Sequence, residues 1–390
     1  MNNKNKQKKS ITHICLLDEN PISVLTPLLD PDIQSDRVIF AIKPNQEEAV
    51  LRLEKVVKPR GIAVSSWILP GSTNTGNILT SFHELISTEL EINPSEQLVL
   101  NTSCGSRHCV LAAFEVAKDY DLHCFVVEPK LDELYWLYPE EKENSALAEK
   151  LKIADYLTAL DSEVKEVANN GVVSLDVRTL GAKWCADPAY YASALGVLNY
   201  LAYTADNNAL TSATLTNQQL ENAALNELID DLMTIGYAQC VHNKLVFNNN
   251  NARFFANGGW LEEYVYGMLL SLKKNIPTLQ DAAQGVEVVR EVGKHTVNNE
   301  LDVAALANNK LHLIECKTKK FEKGEGNNVI YKLDSLADLL GGLHGRAMLV
   351  SFKKIRVAEQ YRAQELDIKF IGPDELPNLS VHLTHWLKSA

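Results

Sequence analysis

Two asparagines, Asn308 and Asn309, separate a run containing Glu300-Leu301-Asp302-Val303 from Leu311-His312-Leu313-Ile314-Glu315-Cys316-Lys317. No other feature constrains the chain so tightly. Asn tolerates positive φ, which the favoured two-residue hairpin turn demands at both central positions. With the turn there, residues equidistant from it face each other across the ladder. Asp302 then stands opposite Glu315, and Lys317 lies two residues beyond Glu315, on the same face by the period of two. Like charges directly opposed on a sheet are destabilising. Two facing carboxylates therefore ask for a cation, and a hard divalent metal with oxygen ligands is the natural one. A lysine beside such a metal can orient or activate a water, or neutralise charge developing on a phosphate. An E-x-K triplet by itself is usually a solvated ion pair; the apolar strand before this one and the Asp opposed to it set it apart.

A further acid lies upstream in Gly258–Leu270, which reads as a helix. Glu262 shares a face with Val265 and Leu269, so it points inward with the apolar stripe, where a carboxylate needs a partner or a metal. Glu263 is expected to face solvent. Gly285–Val292 reads as a strand between helix and hairpin. Helix with inward Glu, strand, Asp strand, ExK strand is an order that resembles the restriction-endonuclease-like PD-(D/E)xK nucleases. The resemblance implies a metal-dependent phosphodiester hydrolase using Mn2+ or Mg2+. Asp302, Glu315, Lys317 and Glu262 would be catalytic, and Asp302, Glu315, Glu262 and Cys316 would be the metal ligands.

The 390 residues suffice for two or three domains, and 46% hydrophobic with 23% charged residues is ordinary for a soluble globular chain. No apolar run is long enough to span a bilayer, so no membrane role is expected. The Lys/Asn-rich start, Met1 to Ser10, lacks the core of a signal peptide, so a cytoplasmic location is expected. Seven scattered cysteines with no CxxC pair fit a reducing compartment and argue against structural zinc. The net charge of −12 gives no whole-chain nucleic-acid signature. Local charge at Lys317, Lys319, Lys320 and Lys323 supplies one beside the hairpin, unless these lysines are only a solvated loop.

Residues 1–10 read as a disordered tail. Over 11–145, strands at Ile11–Leu17, Arg37–Ile42, Gly61–Leu69, Gln97–Leu100 and Leu122–Val127 alternate with helices. This predicts an α/β, Rossmann-like doubly wound parallel sheet. Residues 146–250 read as a connector: a helix at Ala146–Leu160, a strand at Val172–Val177, then helices and a hairpin at Ala238–Phe247. Helices followed by a hairpin are either a winged-helix-like module or a plain helical linker. Residues 251–390 form the C-terminal restriction-endonuclease-like α/β domain. Helices are expected at Lys332–Leu340 and Val357–Glu365, and strands at Arg346–Phe352 and Asp367–Ile371.

Ligands of doubly wound sheets bind beyond the carboxyl ends of the strands. There, Asn101-Thr102-Ser103-Cys104-Gly105-Ser106-Arg107 runs from a strand into a helix. Small hydroxyls, a Gly and a cation at a helix N-terminus are ingredients of an anion site. The plain alternative is a strand–helix turn capped by Ser106. The segment resembles the N-x-T-G-G-T-K motif of the CRISPR-associated Rossmann-fold (CARF) sensors. Ser103 replaces Thr, Cys104 the first Gly, Ser106 the second Thr and Arg107 the Lys, and Cys104 is the departure. With the nuclease pattern, the chain resembles the CARF-domain endonuclease effectors of type III CRISPR systems. That implies a homodimer whose sensor domains bind a cyclic oligoadenylate, commonly cyclic tetra-adenylate, as allosteric activator. The binding residues would be Asn20, Thr73, Ser103, Cys104, Gly105, Ser106 and Arg107. It also implies antiviral cleavage of single-stranded RNA and of DNA. Two rivals are a ligand-sensing transcription regulator with an inert nuclease-like domain and a messenger-independent restriction or repair nuclease.

Overall fold

The computed structural model describes residues 10–18, 21–71, 74–148, 150–319, 321 and 324–389. The expected tail at 1–9, together with Asn20, Thr73, Lys320 and Lys323, lies outside them. The chain divides into two units, one of residues 1–163 with 342–344, the other of residues 164–341 with 345–390.

The first unit alternates β1 (Ile11–Leu16), α1 (Ile22–Leu29), β2 (Arg37–Ile42), α2 (Glu47–Val57), β3 (Ala63–Ile68), α3 (Thr75–Ile92), β4 (Gln97–Asn101), α4 (Arg107–Asp119) and β5 (His123–Glu128). It ends with β6 (Glu133–Tyr138), β7 (Ser145–Ala146) and α5 (Ile153–Ala159). Among the described residues the strand order is β3-β2-β1-β4-β5-β6-β7. The first five strands are parallel; β6 runs antiparallel to β5, and β7 antiparallel to β6. β1, β2 and β4 are buried along nearly their whole length, as a parallel sheet covered on both faces must be. The order reverses between β1 and β4, so the loops leaving these two strands flank the topological switch point.

The second unit opens with β8 (Glu163–Asn169), α6 (Leu175–Ala186), α7 (Pro188–Thr204), α8 (Asn217–Leu220), α9 (Ala223–Thr234), β9 (Ala238–Val241) and β10 (Lys244–Phe247). After α10 (Asn250–Phe254) and a π-turn over Phe255–Gly259 come α11 (Trp260–Leu272), β11 (Leu279–Val292), β12 (His295–Ala307) and β13 (Lys310–Lys317). α12 (Glu325–Gly341), β14 (Arg346–Ser351), α13 (Val357–Glu365), β15 (Lys369–Ile371) and α14 (Leu379–Lys388) complete it. The mixed sheet runs β15-β14-β13-β12-β11-β8. Asn308 and Asn309 take φ of 49° and 52°, and the β12–β13 ladder pairs Val303 with Ile314 through Ala307 with Lys310. That is the register the turn chemistry predicts.

Helices α6, α7 and α9 do not stand apart as a connector. Trp184, Leu195, Leu198 and Leu228 share one hydrophobic core with Trp260, Val303, Ile314 and Val350. Thr211 bridges Val246, adding a third short segment to the β9–β10 hairpin and giving the order of a winged helix. Two local expectations fail here. Ala146–Leu160 is not one helix: Ala146 pairs with β6, and the helix begins at Ile153. Val172–Val177 is not a strand. Ser174 caps α6, and Val173, Val177, Leu180 and Trp184 are buried at helical spacing. The strand in this stretch is β8, none of whose residues is fully buried.

Candidate active site

Asp302, Glu315 and Lys317 lie on one face of the β12–β13 hairpin, because each is an even number of residues from a paired neighbour on that face. The backbone N–H of Cys316 donates to Asp302 Oδ2 at 2.7 Å. Lys317 Nζ lies 2.6 Å from Glu315 Oε1, with Glu315 almost buried and the lysine partly exposed. Gly285 stands opposite Asp302 in β11 at φ 58°, and a Cβ there would come within 2.7 Å of Ala168 on β8. Glu262, in the first turn of α11, reaches the same locus as the sequence predicts. Burial raises its carboxyl pKa first, and the charges of Asp302, Glu300 and Glu315 raise it further, with Lys317 opposing. Asp302 is raised by burial and then by Glu315, with Lys317 and the Cys316 N–H pulling the other way. Burial alone would lower the Lys317 ammonium, but Glu315 and Asp302 more than offset it and hold the pKa above its ordinary value. The result is a charged lysine beside two carboxyls, Glu262 and Asp302, that are reluctant to ionise.

As they stand, no three His, Cys, Asp or Glu side chains among the described residues are gathered closely enough to hold a metal ion. The chemistry of the set nonetheless suits one. Three carboxylates supply hard oxygen donors, and two of them carry raised pKa values from burial and mutual repulsion, which a divalent cation would relieve. The Cys316 thiol does not belong with them. It points to the opposite, core-facing side, and burial keeps it protonated well above the usual thiol range.

Two acids depart from the sequence reading. Glu263 is half-buried rather than solvent-facing, and burial pushes its carboxyl to about 7. Glu300 is an acid that sequence reasoning passed over. It faces Glu287 across the β11–β12 ladder and adds to the charge on Glu262 and Asp302. The signal was present, since Glu300 lies two residues from Asp302 in one strand.

In the first unit, the loop after β4 is braced from within. Asn101 accepts from the Ser103 N–H at 2.9 Å, Thr102 donates its hydroxyl to Phe125 O at 2.8 Å, and Ser103 Oγ accepts from the Val127 N–H at 2.8 Å. Gly105 sits at φ 112° with a Cβ position 2.8 Å from Leu16, so the close approach in this loop falls on Gly105 rather than on Cys104, which is buried. Ser106 precedes α4 without a side-chain cap bond, and its buried hydroxyl has no partner. Arg107 is exposed at the first turn of α4. The expected partners Asn20 and Thr73 lie outside the described residues. No described helix is long and apolar enough to cross a membrane.

Residues 249–390 match the family described as Card1-like, endonuclease domain. No curated protein matches the sequence. Among solved structures, protein VC1899 from Vibrio cholerae is 38% identical over 97% of this chain and 98% of its own, with a TM-score of 0.90. Can2 from Sulfobacillus thermosulfidooxidans, solved in complex with cyclic tetra-adenylate, is 24% identical over 97% of this chain and 99% of its own, with a TM-score of 0.76. A type III CRISPR defence DNA nuclease activated by cyclic oligoadenylate has the same fold over 88% of this chain and 45% of its own, at 13% identity and a TM-score of 0.58. The likeness to VC1899 runs through both units, and with the domain match over 249–390 it places the chain in one family with that protein, the CARF-domain endonucleases.

Proposed function

We propose that the protein is a metal-dependent endonuclease of CRISPR defence that cleaves single-stranded RNA and nicks or degrades DNA when a cyclic oligoadenylate, cyclic tetra-adenylate first among them, occupies its sensor unit. The observation that carries the nuclease half is the shared face of Asp302, Glu315 and Lys317, with Glu262 beside them. Asp302, Glu315 and Glu262 are the side chains that would hold Mg2+ or Mn2+. An ion held by these carboxylates would supply Lewis acidity toward a phosphoryl oxygen and toward the attacking water. Lys317, held charged by its neighbours, orients the attacking water and stabilises negative charge on the phosphate in the transition state.

The sensor half rests on the unpartnered Ser106 hydroxyl and the exposed Arg107 at the start of α4, at the carboxyl edge of the parallel sheet. The helix N-terminus and the guanidinium favour a phosphodiester there. A two-fold cyclic ligand meeting two copies of this loop fits an isologous homodimer. The messenger can activate only by preferring the active arrangement of that dimer. The test is incubation of purified protein with Mn2+, plasmid and RNA, with and without cyclic tetra-adenylate, and with a chelator. Cleavage that needs both metal and messenger supports the reading. Cleavage indifferent to the chelator overturns the nuclease assignment, and cleavage indifferent to the messenger overturns the sensor assignment.

A further inference from the structure

Asn199 lies on α7, within the stretch the sequence marks only as a connector, and is 3% exposed. With its amide oriented so that both ends are satisfied, Nδ2 donates to Leu195 O at 3.3 Å and to Ala256 O at 3.1 Å. Oδ1 then accepts from the Thr318 hydroxyl at 3.2 Å. These partners are not arbitrary. Ala256 belongs to the π-turn that leads into α11 and so to Glu262. Thr318 directly follows Lys317 at the end of the ExK strand.

The two segments also touch each other. Gly258, at φ 119° inside the π-turn, has its Cβ position only 2.4 Å from Thr318 Oγ1, so any side chain there would drive the hydroxyl away. A π-turn widens the helical ladder and leaves carbonyls to be satisfied from outside, and such turns are frequent at functional sites. Here the outside donor is Asn199. Its side chain is thus bonded at once to the lead-in of Glu262 and to the exit of the strand carrying Glu315 and Lys317. Packing alone would be served by an apolar residue, since a buried amide costs free energy unless its bonds are made.

We propose that Asn199 is a positioning residue of the nuclease centre, fixing the start of α11 against the end of β13 through Ala256 and Thr318. The inference rests on the nuclease reading and deepens it, by giving the α7 layer a role in setting the distance between Glu262 and the Glu315–Lys317 pair. It gains its effect through those groups and touches no substrate.

Asn199→Leu keeps the volume and removes every bond. It is expected to lower kcat on the order of 10- to 100-fold, the usual loss when a supporting hydrogen bond behind a metal ligand is removed. KM, measured well below melting, should stay near the parent's. The melting temperature should fall, because the Ala256 carbonyl and the Thr318 hydroxyl lose their partner, and amide hydrogen exchange should rise locally over 255–262. Thr318→Val should reproduce the loss and Thr318→Ser, which keeps the hydroxyl, should recover most of the rate; this pair decides the matter if Asn199→Leu does not fold. The double variant Asn199→Leu/Thr318→Val should be little worse than either single one, because both break the same link. Three results would overturn the proposal: parental kcat in Asn199→Leu, losses that multiply in the double variant, or equal defects in Thr318→Ser and Thr318→Val. Glu315→Ala run alongside separates the two levels. If it cleaves like the parent, the nuclease reading itself fails; if it is inactive while Asn199→Leu is unimpaired, only the positioning role does.

Discussion

Asp302 Oδ2 takes the N–H of Cys316 across the β12–β13 hairpin at 2.7 Å, so the carboxylate of one strand is fastened to the backbone of the strand bearing Glu315 and Lys317. The bond fixes Asp302 between its two functional neighbours while leaving one carboxylate oxygen free of it. A hairpin with a tight turn of two left-handed asparagines holds that arrangement in register.

Removing either facing carboxylate should end cleavage without unfolding the protein. Asp302→Ala and Glu315→Ala each relieve repulsion between the carboxylates but also remove the acceptor of the Cys316 N–H or the partner of Lys317, so the metal-free melting temperature is expected to change little. The parent should gain thermal stability on adding Mn2+, because a ligand that binds the native state stabilises it. Both variants should lose that gain together with cleavage of RNA and plasmid. Retained cleavage in either would remove the residue from the site.

Lys317→Met tests electrostatic stabilisation separately from metal binding. It is expected to cost on the order of 10²-fold in rate, typical for loss of one group stabilising transition-state charge. The Mn2+-linked rise in melting temperature should survive. A variant that cleaves at the parental rate would reduce Lys317 to the counter-ion of Glu315.

Glu263 gives a pH dependence with a definite sign. Its folded carboxyl is raised by burial to about 7, above the ordinary value of 4.5. The fold therefore prefers the protonated form. The stability this group contributes is complete below about pH 4.5 and is lost as pH climbs through about 7. Glu263→Gln, neutral at every pH, is expected to melt higher than the parent at pH 8 and alike at pH 4.5. Thermal scans across that range check it, and a difference independent of pH would contradict the burial of this acid.

Arg107→Ala should weaken messenger binding and raise the concentration of cyclic tetra-adenylate needed for activation, while the Mn2+-linked stabilisation of the nuclease unit is unchanged. Arg offers a planar fork for phosphate that Lys does not, so Arg107→Lys should recover only part of the affinity. Calorimetric titration decides it: parental affinity in Arg107→Ala would take this loop out of the binding site.

Where local chemistry dominates, the sequence was legible. The Asn308–Asn309 turn fixed the register of Asp302 against Glu315, and the spacing of Glu262, Val265 and Leu269 aimed the glutamate inward. Glu263 was misread because a helical wheel knows one helix, whereas this residue is enclosed by its surroundings, with the Tyr237 phenol near enough to feel its charge. β8 escaped notice because it has no fully buried residue and so no apolar pattern. Asn199 and Thr318 are 119 positions apart, and nothing in either neighbourhood announces the other.

The β11–β12 ribbon gives the catalytic face a polarity. Alongside Asp302, the same face presents Glu300 opposite Glu287 and, further out, Glu291 opposite Thr296, with Lys165 paired to Glu287. On the β13 side the face ends instead in Lys317, with the exposed Lys319 two residues on. A phosphodiester chain therefore meets rising repulsion along the ribbon and falling potential from the lysine side. On the proposed function, the described charges favour approach of a phosphodiester over the carboxyl end of β13, where Lys317 and Lys319 lie, and disfavour approach along the acidic β11–β12 ribbon.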